Sequence, residues 1–299
     1  MHHIVHAADF KHETEYPQNS LGMTRASLVD RSVGAVHTAL GLCELAEGGT
    51  LDKHVHSFEE LFYVTEGSPV LVLNDHAVEL APGACGVIPV GVAHAWRGPS
   101  NGTAKWIDMR TPIPRKQGEH PDTFFLGKAP QTGAEPLDIR DPRNQNLFRM
   151  SEEDIDVKKL QAGSRVDAPQ VSASMATALL AYSGIAVKML VDHRLGAALA
   201  TMFMVDYQVG GVAHPHDHPL EEAYFMLDGE VEVTADDITY TLHAGDVFWT
   251  GVGCIHSFIS RTLSRPRWLE TQSPQPPARY SYRFNRDWDY LLHKLNNQS

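Results

Sequence analysis

Two sets of residues in this chain have the types and spacing of metal-binding chemistry. The first is His54-x-His56-x3-Glu60, completed by His94. The second is His216-x-His218-x3-Glu222, completed by His256. In an extended strand, residues i and i+2 point to the same face, so each His-x-His pair sets two imidazoles side by side. The glutamate and the last histidine must then come from neighbouring strands or bends. Three neutral imidazoles and one carboxylate suit a divalent first-row transition metal such as Fe, Mn, Ni, Co or Zn. Four protein ligands leave one or two octahedral positions for water, substrate or dioxygen, so catalysis is feasible. The expectation is one metal per set.

The elements that must position these residues also occur twice. A shift of 162 residues lays Leu28–Pro114 on the later chain without a gap. Gly48, Gly67, Gly83 and Gly91 fall on Gly210, Gly229, Gly245 and Gly253, and Trp106 falls on Trp268. Two barrels with no chemistry would account for the repeated glycines. They would not account for three histidines and a glutamate kept twice.

Each repeat has a β texture. Val70–Leu73 closes on Asn74-Asp75, and its counterpart Glu230-Val231-Glu232-Val233 alternates strictly before Asp236-Asp237. Short strands separated by turn residues predict a sandwich or barrel, and no strand–helix alternation is visible. Between the repeats, 115–146 is rich in Pro, Gly and charge and reads as linker and surface loop. Ser151-Glu152-Glu153-Asp154 has the form of a helix start running into 155–160. In the tail, Tyr280–Phe284 reads as a strand and Trp288–Leu295 as a short helix. The expected organisation is a first barrel with an N-terminal arm over 1–114, a linker and accessory segment over 115–175, and a second barrel with a tail over 176–299.

Composition narrows the function classes. The net charge of −12 disfavours nucleic acid and an anionic membrane surface. No apolar run is long enough to span a bilayer, and the first residues have no signal-peptide pattern. Cys43, Cys85 and Cys254 are an odd, scattered set with no CxxC pair, which points to a reducing, cytoplasmic setting.

Both repeats resemble the cupin family. The first cupin motif, G-x5-H-x-H-x3-E-x6-G, fits Gly48–Gly67 and Gly210–Gly229. The second, G-x5-P-x-G-x2-H, fits Gly83, Pro89, Gly91 and His94. In the second repeat Gly251 replaces the proline, a change in a turn and not in a ligand. The resemblance covers about two thirds of the chain. It implies an all-β bicupin: two jelly-roll barrels, each with a metal inside, and short helices in the linker and tail. Similar proteins include quercetinase-like dioxygenases, oxalate decarboxylases and oxidases, sugar isomerases, ureidoglycine aminohydrolases and seed storage proteins.

Further side chains flank the two sets. Phe62 and Tyr224 share the face of the glutamates, and Tyr224 offers a phenol to substrate or packs in the core. Trp96 and Phe258 follow the last histidines and are expected to form an apolar wall. Alternation points Glu59 and Glu221 outward, toward salt links. His214 reads as a solvated loop histidine and Cys254 as a buried inert thiol; Lys53 and Arg97 read as surface cations. No arginine stands out as an interior partner for an oxalate-type anion.

The functional expectation is an O2-using oxidoreductase, a dioxygenase on a small aromatic or diketone-like substrate. Glu222, Glu60 and Tyr224 are its candidate catalytic residues, with a slight lean to the second barrel. The alternatives are a redox-neutral decarboxylase, isomerase or aminohydrolase, and a non-catalytic metal- or small-molecule-binding cupin. The expected partners are a small-molecule substrate and O2, with a homodimer left open.

Overall fold

The computed structural model describes residues 1–115, 122–155, 177–180, 184–275 and 283–284. The chain forms two compact units. One comprises Ala8–Ser151 with Leu190–Met202, the other Met1–Ala7, Glu152–Met189 and Phe203–Ser299. Both are β structures, and the helical pieces among the described residues are single 3-10 turns such as Arg31–Val33 and His193–Leu195.

The first unit is built around one long strand, Ala39–His56, which pairs antiparallel with Ser20–Val29, Ala104–Thr111, His94–Arg97 and Thr123–Gly127. Glu59–Glu66 runs beside Ala104–Thr111 and Ala84–Ile88. Phe62, Val64, Leu71, Trp96 and Trp106 fill the interior. Trp96 stacks on Trp106 with ring centroids 4.5 Å apart and meets Phe62 edge-on. The expected apolar wall is therefore packed core.

Among the described residues the second unit has a seven-stranded and a five-stranded sheet. Glu221–Asp228 lies between Val247–Thr250 and Arg267–Ser273 in the larger sheet. Val212–Asp217 pairs with His256–Ile259 in the smaller. Tyr207, Tyr224, Phe248, Phe258 and Trp268 form the core. The alternation of Glu230–Ala235 is realised, with valines buried and glutamates half-buried.

The turns follow their sequences. Asn74 and Asp75 have φ of 48° and 66°, and Asp236 and Asp237 have 46° and 67°. Two consecutive left-handed residues close a two-residue hairpin, which is why Asn and Asp stand there. Gly67 and Gly229 are also left-handed, and a Cβ on either would stand 2.6 Å from a carbonyl oxygen, of Thr103 and Arg265 respectively.

Three expectations change. The start of the N-terminal arm, Met1–Ala7, does not belong to the first barrel: His2–Val5 pairs with Val247–Thr250 of the second unit, while Ala8 onward stays with the first. The 115–146 segment is more than surface loop, because Thr123–Gly127, Glu135–Pro136 and Pro142–Asn144 are ordered elements. The Thr-Phe-Phe-Leu run has strong strand preference, and it adds beside Val55. The helix start at Ser151 becomes one 3-10 turn, Glu152–Ile155. Its continuation over 156–160 and the tail helix Trp288–Leu295 lie outside the described residues. At the tail, Arg283–Phe284 pairs with His216–Asp217.

Candidate metal centres

In the first unit His54 stands opposite His94 on the paired strand, past an irregularity between Leu51 and His54. Such an irregularity re-aims side chains, and here it turns His54 and His56 inward. The donor atoms of His54, His56 and His94 all lie within 4.8 Å of one another, and all three residues are buried. Each ring is held through Nδ1 on a backbone carbonyl: Asp52 at 2.7 Å, Phe58 at 2.6 Å and Val92 at 3.0 Å. The Nδ1–H donates, so Nε2 carries the free lone pair. The Nε2 atoms of His56 and His94 are buried and have no hydrogen-bond partner. Buried polar atoms are seldom left so. This is the arrangement that pins a metal-ligating imidazole.

Burial, with the neighbouring imidazoles, pushes His54 down to about 2 and His56 and His94 down to about 3. All three stay neutral and able to ligate. Glu60 lies 3.6 Å from His56 Nε2. Burial pushes Glu60 up to about 7, against the pull of Arg110.

Arg110 is the residue that sequence reasoning missed. It stands directly opposite Glu60 across the strand pair, buried, with Nε 3.7 Å from the Glu60 carboxylate. Asp108 at 2.7 Å and Glu15 at 2.9 Å hold it, and Arg25 Nε donates to both carboxylate oxygens of Asp108. The expectation of no interior arginine is therefore corrected. The signal was available: strand alternation puts Arg110 on the face of Asp108 and Trp106. Lys53 and Arg97 are engaged elsewhere, on Asp75 and on the Pro130 and Thr132 carbonyls.

The second centre repeats the histidine geometry. The Nδ1 atoms of His216, His218 and His256 donate to the carbonyls of His214, Leu220 and Cys254 at 2.7, 2.8 and 3.0 Å. Here the carboxylate joins the cluster: the donor atoms of His218, Glu222 and His256 lie within 4.8 Å of one another. Glu222 Oε2 is 2.6 Å from His218 Nε2. The Tyr224 hydroxyl donates to Glu222 and lies 2.9 Å from His256 Nε2. Gln272 Nε2 donates to Glu222 Oε1 at 2.5 Å. His216 sits beside His256 with ring centroids 4.3 Å apart, and burial pushes it down to about 4. Burial acts upward on Glu222, but the closeness of His218 wins and holds it well below the usual carboxylate range. Glu270 is pushed well above that range by burial and by the charge of Glu222.

Two flanking residues differ from expectation. Among the described residues Glu59 makes no salt link; its carboxylate accepts the backbone amides of Ala198, Leu199 and Ala200 at 2.7–3.2 Å. His214 lies within the strand Val212–Asp217, half-buried, and contributes its carbonyl to His216. Cys254 is buried and free, as expected.

The fold and the two buried histidine-rich clusters have the form of a double-barrel protein with two candidate metal centres. The cupin domain description matches residues 41–110 and 203–271, one stretch in each repeat. The chain is a bicupin of the cupin family, as its motifs suggested. It is 35% identical over 104 residues to the tetracenomycin polyketide synthase protein TcmJ of Streptomyces glaucescens, covering 34% of this chain and 70% of that protein. Salicylate 1,2-dioxygenase from Pseudoaminobacter salicylatoxidans, with gentisate, superposes with a TM-score of 0.70 at 13% identity, covering 91% of this chain and 81% of that one. Oxalate decarboxylase from Bacillus subtilis gives 0.64 at 14% identity, covering 98% and 82%. At these identities the superpositions establish the shared fold. No helix among the described residues is long and apolar enough to cross a membrane.

Proposed function

We propose that this bicupin is a metal-dependent, O2-using oxidoreductase, a dioxygenase acting on a small phenolic or enolisable substrate. The proposed ligands are His54, His56, His94 and Glu60 in one barrel and His216, His218, His256 and Glu222 in the other. The carrying observation is the set of six buried histidines whose Nδ1 atoms are held by backbone carbonyls. A divalent transition metal, Fe or Mn first, would supply Lewis acidity and a redox partner for dioxygen.

The chain's own residues would handle the proton. Glu222 is fixed at Oε1 by Gln272 and at Oε2 by Tyr224. A phenol or enol arriving at the second centre can pass its proton to Glu222 Oε2, and the Tyr224 hydroxyl can share it. Aromatic side chains around Tyr224, including Phe248 and Phe258, exclude water from that carboxylate. The likeness to a salicylate 1,2-dioxygenase supports an aromatic substrate.

One observation favours a redox-neutral second reading, decarboxylation of a small carboxylate. Arg110 puts a buried cation beside the first centre, and a decarboxylase shares the fold. The two readings separate in one assay. Metal content is measured, and the loaded protein is given phenols, diketones and small acids while O2 uptake and CO2 release are followed. O2 uptake with a phenol or diketone supports the dioxygenase, and CO2 release without O2 uptake supports the decarboxylase. A protein that holds no metal overturns both.

A further inference from the structure

The two centres share the same His/Glu motif but differ at the register position opposite the glutamate. Arg110 stands opposite Glu60, and Gln272 stands opposite Glu222. We propose that this pair decides how far each glutamate serves as a metal ligand, so that the first centre is a weaker, essentially three-histidine site and the second a tighter His/Glu site. The inference rests on the reading of both clusters as metal centres.

Three observations carry it. The donor atoms that converge are His54, His56 and His94 in the first barrel, without Glu60, but His218, Glu222 and His256 in the second. Glu60 is shared between His56, at 3.6 Å, and the Arg110 guanidinium, at 3.7 Å. At the matching register position Glu222 meets the neutral amide of Gln272, which holds one oxygen and leaves the charge for the cluster.

The physical argument is competition for one carboxylate. A guanidinium beside Glu60 neutralises the charge that would draw a divalent cation, and repels that cation itself. Asp108 and Glu15 anchor the guanidinium, so it cannot swing away. Three neutral imidazoles without an anionic ligand favour borderline metals, whereas a carboxylate adds affinity for harder ones such as Mn2+. Gln272 donates a hydrogen bond that orients Glu222 without opposing the metal's charge. Tyr224 adds a second donor in the second barrel, where the first has Phe62.

The test measures metal binding directly. Metal-free protein is titrated with Mn2+ and, separately, Co2+, by calorimetry and by the visible absorption of Co2+. His218→Ala isolates the first centre and His56→Ala the second. The second centre is expected to bind Mn2+ about 10–100-fold more tightly than the first, the size of effect that outer partners of metal ligands exert. In the His218→Ala background, Arg110→Gln is expected to tighten Mn2+ binding at the first centre by a similar factor. In the His56→Ala background, Gln272→Arg is expected to weaken it at the second. Arg110→Gln leaves Glu15 without Arg110 and Asp108 with Arg25 alone, so circular dichroism checks its fold; if it does not fold, Gln272→Arg decides alone. Equal Mn2+ affinity at both centres, or folded variants that leave it unchanged, overturns the inference while leaving the metal centres standing. No binding of either metal overturns the reading beneath it.

Discussion

The Tyr224 hydroxyl donates to the Glu222 carboxylate, two residues back on the same face of one strand, and also reaches His256 Nε2 at 2.9 Å. Phe62, at the matching place in the first barrel, can make neither bond. Tyr224→Phe therefore removes a buried hydrogen bond to a charged group while keeping the ring packed on Phe248 and Phe258. The metal-free protein should lose about 1.5–3 kcal/mol of stability by urea unfolding. Turnover at the second centre should fall while metal content holds. Unchanged stability would mean that the hydroxyl is not bonded to Glu222 in solution.

Metal content offers the next test. His56→Ala and His218→Ala each delete a ring whose Nδ1 is held by a carbonyl and whose Nε2 faces its cluster. Each variant should lose about one metal equivalent by elemental analysis, and the double variant should hold none. If both singles keep the full complement, the ligand assignment is wrong.

Much of this arrangement was legible in the sequence because it depends on local rules. The His-x-His pairs share a face through the period of two, and the hairpins close where Asn-Asp and Asp-Asp can adopt positive φ. The Nδ1 contacts were not legible, since they need the carbonyls of Asp52, Phe58 and Val92 to curl toward the rings. Arg110 was half legible. Its face follows from alternation, but its place opposite Glu60 depends on the register of two strands far apart in the chain. The pairing of His2–Val5 with Val247–Thr250 spans nearly the whole chain, and no local pattern specifies such a partner. Glu59 was misread for a related reason. Alternation aims it away from the cluster, but only the fold brings the amides of Ala198–Ala200 to it.

The histidines make the metal-free protein acid-sensitive. His54, His56 and His94 are held at about 2, 3 and 3 in the native state, against 6.5 when unfolded. Below pH 6.5 the unfolded chain therefore binds up to three more protons than the native one, and stability falls as pH falls. Glu60 opposes this with one proton, because at about 7 its native value exceeds the unfolded 4.5. The net for these four groups between pH 4.5 and 6.5 is still uptake on unfolding. Urea midpoints of the first barrel, followed by Trp96 and Trp106 fluorescence, should drop from pH 7 to pH 4.5. His94→Asn should flatten that slope by about one proton. A midpoint that rises on acidification would show that the rings are protonated in the folded state.

The two glutamates provide the sharpest separation of the barrels. Glutamine at either position keeps the shape and one oxygen donor but cannot take up a proton as a carboxylate does. If Glu222 is the proton acceptor, Glu222→Gln should cost about 10²–10⁴-fold in turnover, the usual worth of a positioned general base. Metal at that centre should be partly retained, because the histidines remain. Glu222→Gln also removes the charge that pushes Glu270 up, so Glu270 should ionise more readily. Glu60→Gln should behave differently. Its carboxylate is already shared with Arg110, so turnover should change little if the second barrel carries the reaction. Loss of turnover from Glu60→Gln alone would move the chemistry to the first barrel. Equal losses in both would mean that each centre catalyses.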